Sequence, residues 1–176
     1  MRSDLATVTL RYALLLAACW PPASCAQASV SKEQIKAALV FNFMKFTEWP
    51  SEQGSAPLVL CLANADRRTE AAFGQVNGRV IDTRAIQVRP AHGADVGACH
   101  LLYVQDSTAR DMLDRIAASH PKVLTVGDQE DFTEAGGAIG LVEQNGRVHF
   151  KVNLDMLKRG NYKVSSQLLK LAINLR

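Results

Sequence analysis

Cysteine is the residue type whose number and placement most narrow the chemistry open to this chain. There are four. Cys19 and Cys25 fall in an amino-terminal stretch with the character of an export leader, which leaves Cys61 and Cys99. In an oxidising compartment two remaining thiols either bridge or lie buried as small hydrophobes. Cys61 falls late in one apolar run and Cys99 just before another, so position alone does not bring their Cα atoms within the roughly 7 Å that a bridge needs. Both readings stand at this point. There is no Cys-x-x-Cys, so thiol–disulfide catalysis is not indicated. The four histidines, His92, His100, His120 and His149, occupy four separate segments without the His-x-x-x-His spacing of a helical metal site, and scattered structural histidines are the favoured reading. Asp128, Glu130 and Asp131 cluster where a strand should end, the place at which α/β sheets bind ligands. A solvated turn with capping carboxylates explains them more simply. Gly136-Gly137 lacks a third glycine and leads into a strand, so it is no phosphate cradle, and neither a P-loop nor a Gly-x-Ser-x-Gly elbow occurs. Neither a catalytic set, a metal site nor a cofactor is indicated, and the expectation is a non-enzyme.

The elements that carry these residues alternate between strand and helix. Ser31-Lys32-Glu33-Gln34 reads as a capping box opening a helix to about Phe46. Ile35, Ala38, Leu39, Phe43 and Phe46 form one apolar stripe of that helix, and Ala37, Val40, Phe41 and Met44 cover much of the rest. Such a helix needs covering on more than one side. The expectation is packing between a sheet and the C-terminal helix. A sharper alternative makes part of it a partner or dimer surface: Phe41, Met44 and Lys45, with Trp49 beyond. Leu58 to Ala63 reads as a doubly buried strand and Asn64 or Asp66 as the cap of the next helix. Ala85 to Arg89, His100 to Val104 and Lys122 to Val126 follow as strands, with a helix from Ser107 to Ala118 between the last two. Val148, Phe150 and Val152 alternate with Arg147, His149 and Lys151 after Asn145-Gly146, which marks a hairpin with a type I′ turn. A final helix is expected after Ser165 or Ser166, with Leu168, Leu169 and Ala172 inward. This rhythm implies a single α/β domain with a mostly parallel central sheet flanked by helices, a C-terminal β-hairpin and a last helix.

Composition bounds the function. Apolar residues at 48% and charged ones at 21% describe an ordinary globule, and a net charge of +3 without a Lys/Arg cluster gives no case for nucleic acid. Arg2 and Arg11 precede the apolar run from Tyr12 to Trp20, Pro21-Pro22 ends it, and Ala26-Gln27-Ala28 fits a signal-peptidase site. The run is far shorter than the ~20 residues that span a bilayer. Residues 1–28 are therefore expected to be a secretory signal peptide and 29–176 the domain. Leu16-Ala17-Ala18-Cys19 offers a rival lipobox that would leave a lipid anchor on Cys19.

Three stretches together carry a resemblance. They are Phe41-Asn42-Phe43-Met44-Lys45-Phe46-Thr47-Glu48-Trp49-Pro50, then Cys99-His100-Leu101-Leu102-Tyr103-Val104, and finally Gly136-Gly137, the hairpin, Phe150-x-x-Asn153-Leu154 and Ser165-Ser166-Gln167-Leu168-Leu169-Lys170-Leu171-Ala172. In this order, over nearly the whole chain after the leader, they resemble the YfiR family of bacterial periplasmic proteins. The resemblance implies a Cys61–Cys99 bridge. A second family bridge would fall near the hairpin, where this chain has no cysteine. It implies a periplasmic regulator that binds the periplasmic sensor segment of an inner-membrane diguanylate cyclase, represses it and lowers cyclic-di-GMP. An OmpA-like outer-membrane lipoprotein would relieve that repression. The alternative is a periplasmic small-ligand module using the strand ends near Ala63 to Asp66 and Gly127 to Asp131.

Overall fold

The first helix forms where its capping box sits. In the computed structural model, which describes residues 29–49, 56–91, 93–105 and 109–175, Ser31 Oγ accepts from the Gln34 amide while the Gln34 side chain accepts from the Ser31 amide. Helix α1 runs Lys32–Lys45. The leader with both its processing sites, the Ser107 cap and His92 lie outside the described residues.

The remaining elements follow in the order β1 (Thr47–Glu48), β2 (Leu58–Ala63), α2 (Arg67–Gly74), β3 (Val80–Ile81), β4 (Arg84–Pro90), a 3-10 turn (Gly93–Ala98), β5 (Leu101–Val104), α3 (Ala109–Ser119), β6 (Leu124–Gly127), β7 (Ile139–Gln144), β8 (Arg147–Val152), α4 (Leu154–Arg159), β9 (Lys163–Val164), α5 (Ser166–Leu169) and β10 (Asn174–Leu175). Eight strands form one sheet in the order β10-β8-β7-β6-β5-β2-β4-β3, and β1 pairs with β9 in a separate ribbon. β4, β2, β5, β6 and β7 are mutually parallel, as the strand–helix alternation predicts. The β7–β8 hairpin is antiparallel, and Asn145 and Gly146 both take positive φ, as its turn demands.

The sheet is buried on both faces. Leu58, Leu60 and Leu62 of β2, Leu101 and Tyr103 of β5, and Phe150 and Val152 of β8 meet α1, α2, α4 and α5 on one face. Cys61, Ala63, Leu102 and Val104 meet α3 and Phe132 on the other. Cys61 and Cys99 are bridged, with Cα atoms 5.8 Å apart across 38 positions. The 3-10 turn ending at Ala98 brings Cys99 over the α3-facing side of β2, which spacing along the chain did not disclose. Phe132 lies between Gly127 and Gly137, where a Cβ on either glycine would run into its ring, so the paired-glycine signal at 136–137 is a close approach.

Three expectations need correction. The final helix is a single turn, Ser166–Leu169 capped by Ser165, after which the chain returns to the sheet: the Ile173 amide donates to the Phe150 carbonyl. An edge offering ready-made backbone partners wins over propagating so short a helix. A helix at Leu154–Arg159, capped by Asn153, was not foreseen, and neither was the β1–β9 ribbon. The buried side of α1 is Ala37, Val40, Phe41, Phe43 and Met44, while Ile35 and Ala38 are exposed. Its covers are α2 and the sheet, with the Phe43 and Phe150 rings 5.0 Å apart edge to face. Among the described residues no helix is long and apolar enough to cross a membrane.

Candidate functional site

The parallel strands reverse direction of travel at β2: the chain goes from β2 to β4 on one side, then crosses to β5 on the other. Such a switch point opens a crevice at the strands' carboxyl ends, the usual ligand site of this architecture. Here the crevice is filled by the protein's own side chains. The Gln105 amide brackets Asp66, accepting from its backbone N–H at 2.9 Å and donating to its carboxylate at 3.3 Å. Beside it, Lys36 Nζ and the Tyr103 hydroxyl both donate to Asp128 Oδ2, at 2.8 and 3.0 Å. Burial, then the Asp128 charge, raises the Tyr103 pKa and keeps its proton on the hydroxyl. Glu130 and Asp131 are exposed in the following turn. Asp128 thus ties α1 to the sheet, a role no local signal announced.

The open site lies at the other end of the sheet. A groove of about 550 Å³ runs between the β1–β9 ribbon, the end of α1 and the β3–β4 turn, lined among others by Lys45, Phe46, Trp49, Asp82, Arg84 and Lys163. Each wall has a local cause. Phe46 closes α1 as its C-cap, and the Trp49 indole N–H then donates to the Met44 carbonyl at 2.8 Å, folding the chain back under the helix end. The Ser165 amide donates to the Phe46 carbonyl at 2.9 Å and holds the second ribbon strand in place. Asp82 takes φ +53°, which makes the β3–β4 turn tight enough to form a rim.

Trp49 is held from below by His100, ring centroids 5.7 Å apart, and beside it by Tyr162 at 6.2 Å. His100 leads into β5 directly after the bridged Cys99, so the disulfide adjoins the residue that backs Trp49. The Val59 amide donates to His100 Nδ1 at 3.0 Å, and Arg84 Nη2 stands 2.9 Å from Nε2. A donor therefore faces each ring nitrogen, and a protonated ring can accept from neither. Burial, then the Arg84 guanidinium, holds the His100 pKa below its ordinary 6.5. The unfolded chain consequently takes the proton first. This contribution to stability is complete above pH 6.5 and is lost as the pH falls through the folded value. Wild type should lose more of its thermal midpoint between neutral pH and pH ~5 than His100→Gln does, read by calorimetry across the series; parallel losses would remove His100 from this role.

Of the four side chains singled out on and beyond the first helix, Lys45 is exposed and Trp49 half-buried, and both line the groove. Phe41 and Met44 do not. At 9% and 0% exposure they are core residues, because α2 and the sheet cover the surplus apolar surface that suggested them. Arg84, His100 and Lys163 went unnoticed as site residues, since they come from three distant segments and carry no spacing signal. His120 packs on Gly97, and His149 is half-buried on β8. Among the described residues no group of three or more His, Cys, Asp or Glu is placed to hold a metal ion.

A profile described as YfiR/HmsC-like matches residues 33–173, which takes in α1, both cysteines, the hairpin and the groove. The chain belongs to the YfiR/HmsC-like family. Solved structures share the fold of this YfiR/HmsC-like chain without its sequence. A conserved domain protein from Vibrio cholerae matches with a TM-score of 0.53 at 11% identity over 83% of this chain. A domain from Streptococcus pneumoniae described as an ABC domain in complex with L-Trp matches with a TM-score of 0.52 at 9% identity over 82%. The YfiR/HmsC-like chain spans 60% of the length of each.

Proposed function

We propose that this chain, secreted and cleaved after Ala28, binds the periplasmic sensor segment of a membrane-anchored diguanylate cyclase and represses it, lowering cyclic-di-GMP. An OmpA-like outer-membrane lipoprotein is the partner expected to relieve that repression. The observation that carries the reading is the groove: within a YfiR/HmsC-like fold it is an open recess beside two aromatic rings, with Lys45 exposed at its rim. It lies at the amino ends of β2 and β4, away from the crevice where small-molecule sites of α/β sheets form, and that location favours a macromolecular partner. Repression requires tighter binding to one state of the cyclase than to the other.

The test is cellular cyclic-di-GMP with the gene deleted and then restored as wild type, Lys45→Glu or Trp49→Ala. Deletion should raise the nucleotide and wild type should restore it. Lys45→Glu, an exposed change that leaves the core alone, should secrete normally and fail to restore it. An unchanged level on deletion rejects the repressor reading; full rescue by both variants moves the contact surface away from the groove. The second reading, a small-ligand sensor, is favoured by Gln129 Oε1, which is buried near the crevice without a hydrogen-bond partner among the described residues. A metabolite that raises the melting temperature, with the effect lost in Gln129→Leu, would support it.

A further inference from the structure

The two edges of the eight-stranded sheet are built differently. At the β3–β4 edge the backbone is already occupied. Gly78 donates to the Ile86 carbonyl and Ile86 to the Arg79 carbonyl, the Asn77 side chain accepts from the Val88 amide, and Pro90 offers no donor. These are the devices by which natural sheets refuse a further strand. Among the described residues the β8–β10 edge carries neither a proline nor a side chain capping the backbone beyond the two-residue strand β10. Among the described residues β10 pairs only with Lys151 and Val152. The Ile173 amide donates to the Phe150 carbonyl, so Phe150 turns its backbone outward, and strand alternation turns that of Val148 outward as well, beyond the reach of β10.

Side chains at this edge are inverted relative to a solvated strand. Leu175 pairs with Val152 and so lies on the same face as Phe150 and Val152, and Ile173 stands in the bend just before β10. Ile173 and Leu175 are nevertheless 43% and 47% exposed, so the apolar face continues past its cover. The opposite face carries Arg147, His149 and Lys151. Lys151 is paired with Glu134 at 3.6 Å, whereas Arg147 is exposed and makes no ion pair among the described residues.

We propose that the β8–β10 edge receives an added β-strand from a partner protein, one that is apolar on the face meeting Ile173 and Leu175 and acidic on the face meeting Arg147 and His149. Backbone pairing supplies affinity in such strand addition, and the alternating side chains supply selectivity. A second copy of this chain is the poorer occupant, because antiparallel self-pairing about Val148 places the Arg147 side chains of both copies diagonally on one face, like charge near like charge. The site is separate from the groove, and its test does not depend on the cyclase.

The test uses the full chain with two dye-labelled synthetic peptides, one alternating valine with glutamate and one alternating valine with lysine, read by fluorescence anisotropy. The glutamate peptide should bind at least about ten-fold more tightly. Arg147→Glu should reverse that preference, and Ile173→Asp should weaken binding of the glutamate peptide about ten-fold while the melting transition stays in place. Amide exchange at Val148 should slow when the peptide is bound, a readout that loose charge attraction would not move. Equal affinity for the two peptides, absence of binding up to about millimolar, or an unprotected Val148 would each overturn the proposal. A concentration-dependent dimer that Ile173→Asp abolishes would overturn it in favour of a second copy.

Discussion

Replacing Cys61 and Cys99 together by alanine should lower the stability of the folded domain by about 4 kcal/mol, the chain entropy released by opening a loop of this length. The loop spans 38 positions, and both half-cystines are buried, at 0% and 5% exposure. For a domain of this size the melting midpoint should fall by about 10 °C. Reductant should produce the same shift in wild type and none in the double variant, which separates loss of the bridge from loss of packing. The effect should also reach the groove. Cys99 immediately precedes His100, whose ring supports Trp49, so the opened chain should show altered Trp49 emission before global unfolding. Trp20, the other tryptophan, falls within the expected signal peptide, and the difference from Trp49→Phe isolates the Trp49 signal with or without it. A midpoint that moves by less than about 3 °C would mean that the bridge constrains little of the unfolded chain.

Asp128→Ala should cost about 3 kcal/mol, because it leaves Lys36 with a charge held largely out of water. The side chains of Lys36 and Asp128 are only 15% and 12% exposed, so solvent screens this pair far less than the surface pairs of the molecule. Glu143 lies 3.8 Å from the same ammonium and keeps part of its compensation, which places the cost at the low end of the range for breaking a buried pair. Tyr103→Phe, which removes one donor to Asp128 and keeps the ring, should cost only about 1 kcal/mol. The decisive measurement is the cycle with Lys36→Met. The double variant should recover much of the loss, since neither charge is then stranded. A strictly additive double variant, or an Asp128→Ala loss below about 1 kcal/mol, would show that the pair is solvated in the folded protein.

What could be read along the chain was what neighbouring residues decide between themselves. The Ser31–Gln34 capping box, the Asn145-Gly146 turn, the alternation through β8 and the continuous apolar run of β2 are each complete within a few residues, and each stands in the fold as read. From these the α/β class and the mostly parallel sheet follow, because a strand, a helix and a further strand have few ways of burying their faces together. The same locality explains the misreadings. Leu168, Leu169 and Ala172 have the spacing of a longer helix, yet the edge of β8 claims the next residues for backbone pairing.

Periodicity could not show which side of an all-round apolar helix stays free. Phe41 and Met44 went to the core and Lys45 to the groove because of where α2 and the sheet stand. The groove is likewise a product of packing: Trp49, Arg84 and Lys163 line it, with His100 behind Trp49 and Arg84, only when the ribbon, β4 and the bridged start of β5 converge. Lys36 and Asp128 are 92 positions apart, and nothing near either of them specifies the other. The sequence by itself determined the longer helices and most of the sheet strands, their class and the family, because caps, turns and alternation are short-range. Only the tertiary structure decided which charges pair, which apolar residues remain exposed and where the open surfaces lie, because burial belongs to the assembled layers rather than to any segment of them.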